Sequence, residues 1–172
     1  MTEETSRKPD YYKDIKRYGK FGEDIFIEKI SNSRFQIIDV TKNEFYQKQD
    51  VDFILVPENG EIVLVEVKTD TRAWETKNLP YEVISHGHYG WSITTKATHV
   101  FFVLAKEDKE TKELEYVGWL IVDMKKWHEY CQNPKTEKIA NFIKNEQISD
   151  ILWNITHLIE EGVITKKSKT IT

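Results

Sequence analysis

The 172-residue chain has a single cysteine, Cys131, with four prolines and seven glycines, and no apolar run approaches the length of a membrane span. One thiol excludes an internal disulfide and a cysteine-ligated zinc site. A spanning helix needs about 20 consecutive apolar residues. The opening residues, M-T-E-E-T-S-R-K-P, lack the basic and apolar segments of a signal peptide, so a cytoplasmic location is expected. An excess of basic charge is also missing. Lys and Arg number 25 against 29 Asp and Glu, leaving a net charge of −4. The whole molecule therefore does not attract a polyanion, and any nucleic-acid contact has to use a local basic patch. What is present is an apolar fraction of 39% and a charged fraction of 31%, on a length suited to one domain with a buried core.

The informative stretch runs from Asp52 to Lys68, D-F-I-L-V-P-E-N-G-E-I-V-L-V-E-V-K. Two β-branched runs flank a short turn, the pattern of a β-hairpin. Side chains alternate along a strand, so Glu66 and Lys68 share a face. Asp52 joins them only in an even register. A two-residue Asn59-Gly60 turn would pair Asp52 with Val67 and turn it away. A three-residue Glu58-Asn59-Gly60 loop, with glycine in the left-handed position, pairs Asp52 with Glu66, and this is the register predicted. Two carboxylates on adjacent strands make an oxygen-lined pocket suited to Mg²⁺ or Mn²⁺. A lysine beside them can orient or deprotonate water, or neutralise a phosphate. The plain alternative is a surface hairpin carrying a Glu–Lys pair.

Around this hairpin the chain reads as helix from 10 to about 30, interrupted near Gly19 and Gly22, with Phe21, Ile25, Phe26 and Ile30 as its apolar stripe. Glu23 lies at the stripe's edge, either as a functional carboxylate or as a solvated first-turn acid. Strands are expected at 35–40, 79–85, 100–105 and 116–122, the third buried on both faces. Ser92 is placed to cap a short helix reaching 97, and Asp123 one reaching 131. Pro134 restarts the chain for a further short helix. Ile148, Ile151, Leu152, Ile155, Leu158 and Ile159 follow helical spacing up to Gly162, as core packing or as a dimer face. The expectation is an α/β (α+β) fold: a mixed central sheet of about five strands flanked by helices. One domain would span 1–172, with a flexible 1–9, a core at 10–122 and a C-terminal helical extension at 123–172.

Glu23 on an early helix, Asp52 opening a strand, and E-V-K at Glu66–Lys68 closing the next resemble the PD-(D/E)xK nuclease superfamily. The segments N-L-P-Y-E and G-W-S-I-T-T-K-A-T-H-V-F-F-V look like its small phage-type members. The resemblance covers about residues 20–105. Val51 stands where proline often precedes the aspartate, and no position expected to carry chemistry is missing. The resemblance implies a restriction-endonuclease-like core and Mg²⁺-dependent hydrolysis of DNA phosphodiester bonds, with Mn²⁺ substituting and endonuclease favoured over exonuclease action. For a phage-encoded chain it also implies the host cytoplasm. Asp52, Glu66 and the Val67 carbonyl would hold the metal, and Lys68 would position or activate water. Glu23 would hold a second metal or its waters. Glu82 would orient Lys68 or join the metal shell, and Asp50 is the understudy of Asp52.

Other residues carry two readings each. His88, with His86, is a DNA contact or part of an exposed loop. Trp91, with Tyr89, stacks on an unpaired base or anchors the core. Lys96 meets a phosphate or only solvent. The clusters Lys13/Lys16/Arg17/Lys20 and Lys166/Lys167/Lys169 track a DNA backbone or form solvated faces. A homodimer through the C-terminal helices is the use of the Ile148–Ile159 stripe other than core. The rival to an enzyme is a non-catalytic DNA- or protein-binding module on the same scaffold, such as a phage inhibitor of a host defence.

Overall fold

A computed structural model describes residues 11–133, 141–144 and 148–171. Its centre is a six-stranded mixed sheet in the order β1 (Phe35–Asp39), β2 (Phe53–Pro57), β3 (Val63–Asp70), β6 (His99–Glu107), β7 (Leu114–Asp123) and β10 (Ile164–Lys167). Only β3 and β6 run parallel; the other neighbours are antiparallel. The expected α/β class with a mixed sheet flanked by helices is what the chain adopts. The sixth strand comes from the lysine-bearing tail. A second sheet, in the order β5 (His88–Tyr89), β4 (Asn78–Ser85), β9 (Ile148–Asn154) and β8 (Asn141–Lys144), stands beside the first.

The run of apolar residues in β6 explains the layering. Phe101 and Val103 point into one core with Phe26, Phe53, Leu55, Val65 and Val67. Val100, Phe102 and Leu104 point into the other with Leu79, Tyr81, Trp127 and Trp153. The first core is covered by α1 (Tyr11–Ile30), which continues through Gly19 and Gly22 without the expected interruption. The reason lies in packing. A Cβ at Gly22 would stand 2.5 Å from Thr69 Oγ1 and 3.0 Å from Val67 Cγ1. Beside it the Thr69 hydroxyl donates to the Tyr18 carbonyl at 2.7 Å. Glycine costs a helix about 1 kcal/mol relative to alanine, and here it lets the helix lie against β3.

The C-terminal part corrects the sequence reading. Residues 148–159 are not one helix: Ile148–Asn154 is β9, paired with β4, and only α6 (Ile155–Glu160) is helical. The apolar spacing suits a helix, but I-S-D-I-L-W is also rich in strand formers, and pairing with β4 decides between them. Trp153, Ile155 and Leu158 are buried in the core, so the stripe does not form a helical dimer face. The 123–172 extension is therefore mixed, with α5 (Met124–Gln132), β8, β9, α6 and β10. Asp123 caps α5 as expected, accepting from the Lys126 N–H, and Gly162 (φ +69°) follows α6. The helix expected after Pro134 lies outside the described residues. Among the described residues no helix is long and apolar enough to cross a membrane.

Candidate functional site

The β2–β3 hairpin has the predicted even register: Phe53 pairs with Val65, Ile54 with Leu64 and Leu55 with Val63. The expected pairing of Asp52 with Glu66 is not made: the ladder ends at Phe53 and Val65, and the Asp52 N–H donates to the Val65 carbonyl instead of continuing the count. The tight three-residue connection does not form, because the ladder stops at Leu55 and Val63 while Val56 and Pro57 stay paired with β1. Pro57 has no N–H to donate across the closing pair such a loop needs. Gly60 still takes a positive φ, +123°.

At the other end of the hairpin the strands part at Asp52. Its N–H donates to the Val65 carbonyl at 2.9 Å, and its carbonyl accepts from the Val40 N–H at 3.0 Å. Its carboxylate then enters the gap and accepts the Val67 N–H through Oδ2 at 2.9 Å. Gln47, from α2 (Glu44–Gln47), donates to Oδ1 at 3.3 Å. The carboxylate thus lies along the sheet, between its two faces. The N–H and C=O of one strand residue point to the same edge, so the Val67 carbonyl opens onto the same gap.

On the face away from α1, Glu66 is 6% exposed and its Oε1 meets Lys68 Nζ at 2.5 Å. Burial pushes the Glu66 carboxyl up to about 7; Lys68 opposes the shift, while Asp52 and Asp50 add to it. For Lys68, burial acts to lower the ammonium, but Glu66, Asp50 and Asp52 outweigh it and hold it above its ordinary value. From α1, Glu23 approaches the opposite side of the gap. Its carboxyl is raised by burial, then by Asp52 and Asp39. Asp39, at the end of β1, escaped the sequence reading because it belongs to no motif; only the pairing of Asp39 with Phe53 brings it alongside. Asp50 is not in the ladder. It sits in the turn at φ +52°, accepts from Thr94 Oγ1 at 3.3 Å, and acts on Glu66 and Lys68 through its charge.

Lys68 Nζ stands 5.0 Å from the centre of the Trp91 ring. The other contacts of that ring are inward, edge-on to Phe102 and Trp127 at 6.1 and 6.3 Å. Glu82 reaches this arrangement through Trp91: its Oε1 accepts the Trp91 N–H at 3.1 Å, and its own N–H donates to Ser92 Oγ at 2.9 Å. Ser92 therefore does not cap the helix; Gly90 precedes α4 (Trp91–Thr94), which is shorter than expected. A Cβ on Gly90 would come within 2.5 Å of the Glu82 carbonyl oxygen. Glu82 pairs across the strands with Asp150, whose carboxyl is raised by burial and by Glu82.

His88 is exposed on β5, and Lys96 is exposed with its N–H bound to the Gln49 carbonyl at 2.9 Å. Arg17 of the α1 basic cluster is held by Glu107 at 2.5 Å.

The site is thus the end of the β2–β3 hairpin, where the strands part and Asp52, Glu66 and Lys68 come together, with Glu23 and Asp39 acting from the α1 side. An apolar cavity of about 330 Å³ under α1, lined by Phe26, Phe35, Leu55, Phe101 and Trp119, contains none of these carboxylates. Among the described residues no three His, Cys, Asp or Glu side chains are gathered as a metal cage. The oxygens that could hold a hard cation are those of Asp52, Glu66 and the Val67 carbonyl, with water completing the shell. No family model, curated protein or solved structure matches this chain.

Proposed function

We propose that this chain is a divalent-metal-dependent nuclease of the PD-(D/E)xK type, hydrolysing DNA phosphodiester bonds at the Asp52–Glu66–Lys68 cleft. The observation that carries this reading is the pairing of a buried Glu66 with Lys68 at 2.5 Å beside the in-plane carboxylate of Asp52. Glu66 and Asp52 together bring two negative charges to this spot, with Asp50 acting on them as a third, against the single positive charge of Lys68. A hard dication on Asp52, Glu66 and the Val67 carbonyl would answer that deficit, and all three donors are oxygen.

When bound, Mg²⁺ or Mn²⁺ supplies polarisation of the phosphate and stabilisation of charge on its oxygens. Asp52 and Glu66 are the residues that would hold it. Lys68, beside Glu66, would hold the attacking water or neutralise a phosphate oxygen. Trp91 keeps the ammonium over its ring face, and Glu82 fixes Trp91. Glu23 adds a carboxylate on the far side of the gap.

Purified protein should cut DNA with Mg²⁺ or Mn²⁺ and stop in EDTA. Lys68→Ala should abolish cleavage and keep the fold; full activity in that variant would sink the assignment. A second reading, a non-catalytic binding module, is favoured by the absence of a three-acid cage among the described residues. It predicts no calorimetric heat on Mn²⁺ addition.

A further inference from the structure

Resting on that reading of the cleft, we infer that the strand it accepts is an unpaired one, whose bases stack on Phe45 and Tyr89. Among the large hydrophobic residues described, these two are the most exposed, at 67% and 74%. Both rings are mounted on segments that build the cleft. Phe45 lies in α2, two residues before the Gln47 amide that touches Asp52. Its N–H is capped by Asn43 Oδ1 at 3.0 Å, its carbonyl accepts from Gln49 Nε2 at 3.1 Å, and its ring stands edge-on to Tyr46. Tyr89 lies in β5, two residues before the Trp91 that carries Lys68.

The turn before Tyr89 is a tight one: His86 and Gly87 have φ of +49° and +79°, the two-residue hairpin form that matches strand twist. The segments bearing the two rings are tied together at Asp50. Thr94 Oγ1 and Thr95 Oγ1 donate to the Asp50 carboxylate and carbonyl at 3.3 and 3.1 Å, and the Lys96 N–H to the Gln49 carbonyl at 2.9 Å.

The charge pattern selects the occupant. Exposed Lys42 and Lys48 stand three residues either side of Phe45 in the chain, and exposed His88 directly precedes Tyr89, on a chain of net charge −4. Duplex tracking relies on many phosphate contacts, whereas a single strand adds base stacking to few. Trp91, the other stacking candidate, spends its ring on Lys68, Phe102 and Trp127.

The test is fluorescence anisotropy in EDTA with labelled oligothymidylate of about 12 nucleotides and a duplex of the same length, within known single-strand site sizes. The single strand should bind at least about tenfold more tightly than the duplex, and Phe45→Ala and Tyr89→Ala should each weaken it about tenfold at unchanged unfolding midpoints, with Tyr89→Phe restoring it. Equal affinity for both nucleic acids, no binding at all, or wild-type affinity in both alanine variants would overturn the proposal. So would sedimentation showing a dimer that Phe45→Ala dissociates, since the rings would then be a protein interface. Strong single-strand binding without Mg²⁺-dependent cleavage upholds the strand surface and overturns the nuclease reading; cleavage by a protein with no strand preference does the reverse.

Discussion

Val67 gives its backbone N–H to the Asp52 carboxylate at 2.9 Å, at the point where the β2–β3 ladder ends. A side chain thereby replaces the backbone partner and stands in the plane of the sheet. Together with the Gln47 amide on its other oxygen, this hydrogen bond sets where Asp52 points, between Glu66 on one face and Glu23 on the other.

Asp52→Asn keeps an acceptor for Val67 and removes the charge that raises Glu66 and Glu23. Its unfolding midpoint should equal or exceed that of the parent, while calorimetric binding of Mn²⁺ disappears. Asp52→Ala leaves a backbone N–H unpaired and should destabilise the fold by roughly 1–3 kcal/mol, read by denaturant unfolding.

Glu66 carries a pH signature. Its carboxyl lies at about 7 in the fold against an ordinary 4.5. The folded state holds the proton more tightly, so this group's contribution is fully present below about pH 4.5 and is lost as pH rises through 7. The loss amounts to at most about 3 kcal/mol. Glu66→Gln should flatten stability between those pH values; an unchanged slope would exclude Glu66 as its source.

Trp91→Leu removes the ring face under Lys68 while keeping a large apolar side chain. Cation–π contacts of this kind contribute about 0.5–2 kcal/mol. The Lys68 ammonium should titrate lower in that variant, followed by NMR of labelled lysine, and Trp91→Phe should recover most of the shift. Equal titration in all three proteins would remove Trp91 as a positioning residue.

Gly22→Ala puts a methyl group 2.5 Å from Thr69 Oγ1. Helix propensity alone predicts a gain of about 1 kcal/mol. The contact with β3 reverses the sign, and overpacking of this kind costs about 1–3 kcal/mol. Chemical denaturation should show a net loss, which Gly22→Ala combined with Thr69→Ala relieves.

Local signals were sufficient for the elements nearest the cleft. Alternation put Glu66 and Lys68 on one face; the even register of Phe53–Leu55 with Val63–Val65 was anticipated, but through a three-residue turn that the chain does not make, and it stops short of Asp52. The V-F-F-V-L-A run in β6 announced burial on both faces. Signals that depend on distant partners were illegible. The strand at Ile148–Asn154 exists because β4 waits for it, and I-S-D-I-L-W satisfies helical spacing as well as strand composition. Asp39 enters the cleft only through sheet pairing, and the turning of Trp91 beneath Lys68 follows from core packing that a single sequence does not display.

The partnership of β4 with β9 also carries a temporal consequence. The Glu82–Trp91 arm is backed by a strand that begins at Ile148, long after Lys68 has left the ribosome. Pairings so remote in sequence form late, because the intervening loop must close first. The Asp52–Glu66 hairpin can therefore assemble during synthesis while the support of Lys68 waits for β9. The Lys68–Glu66 pair lies within β3, whereas the Trp91 ring beside Lys68 is seated only when the second sheet has closed.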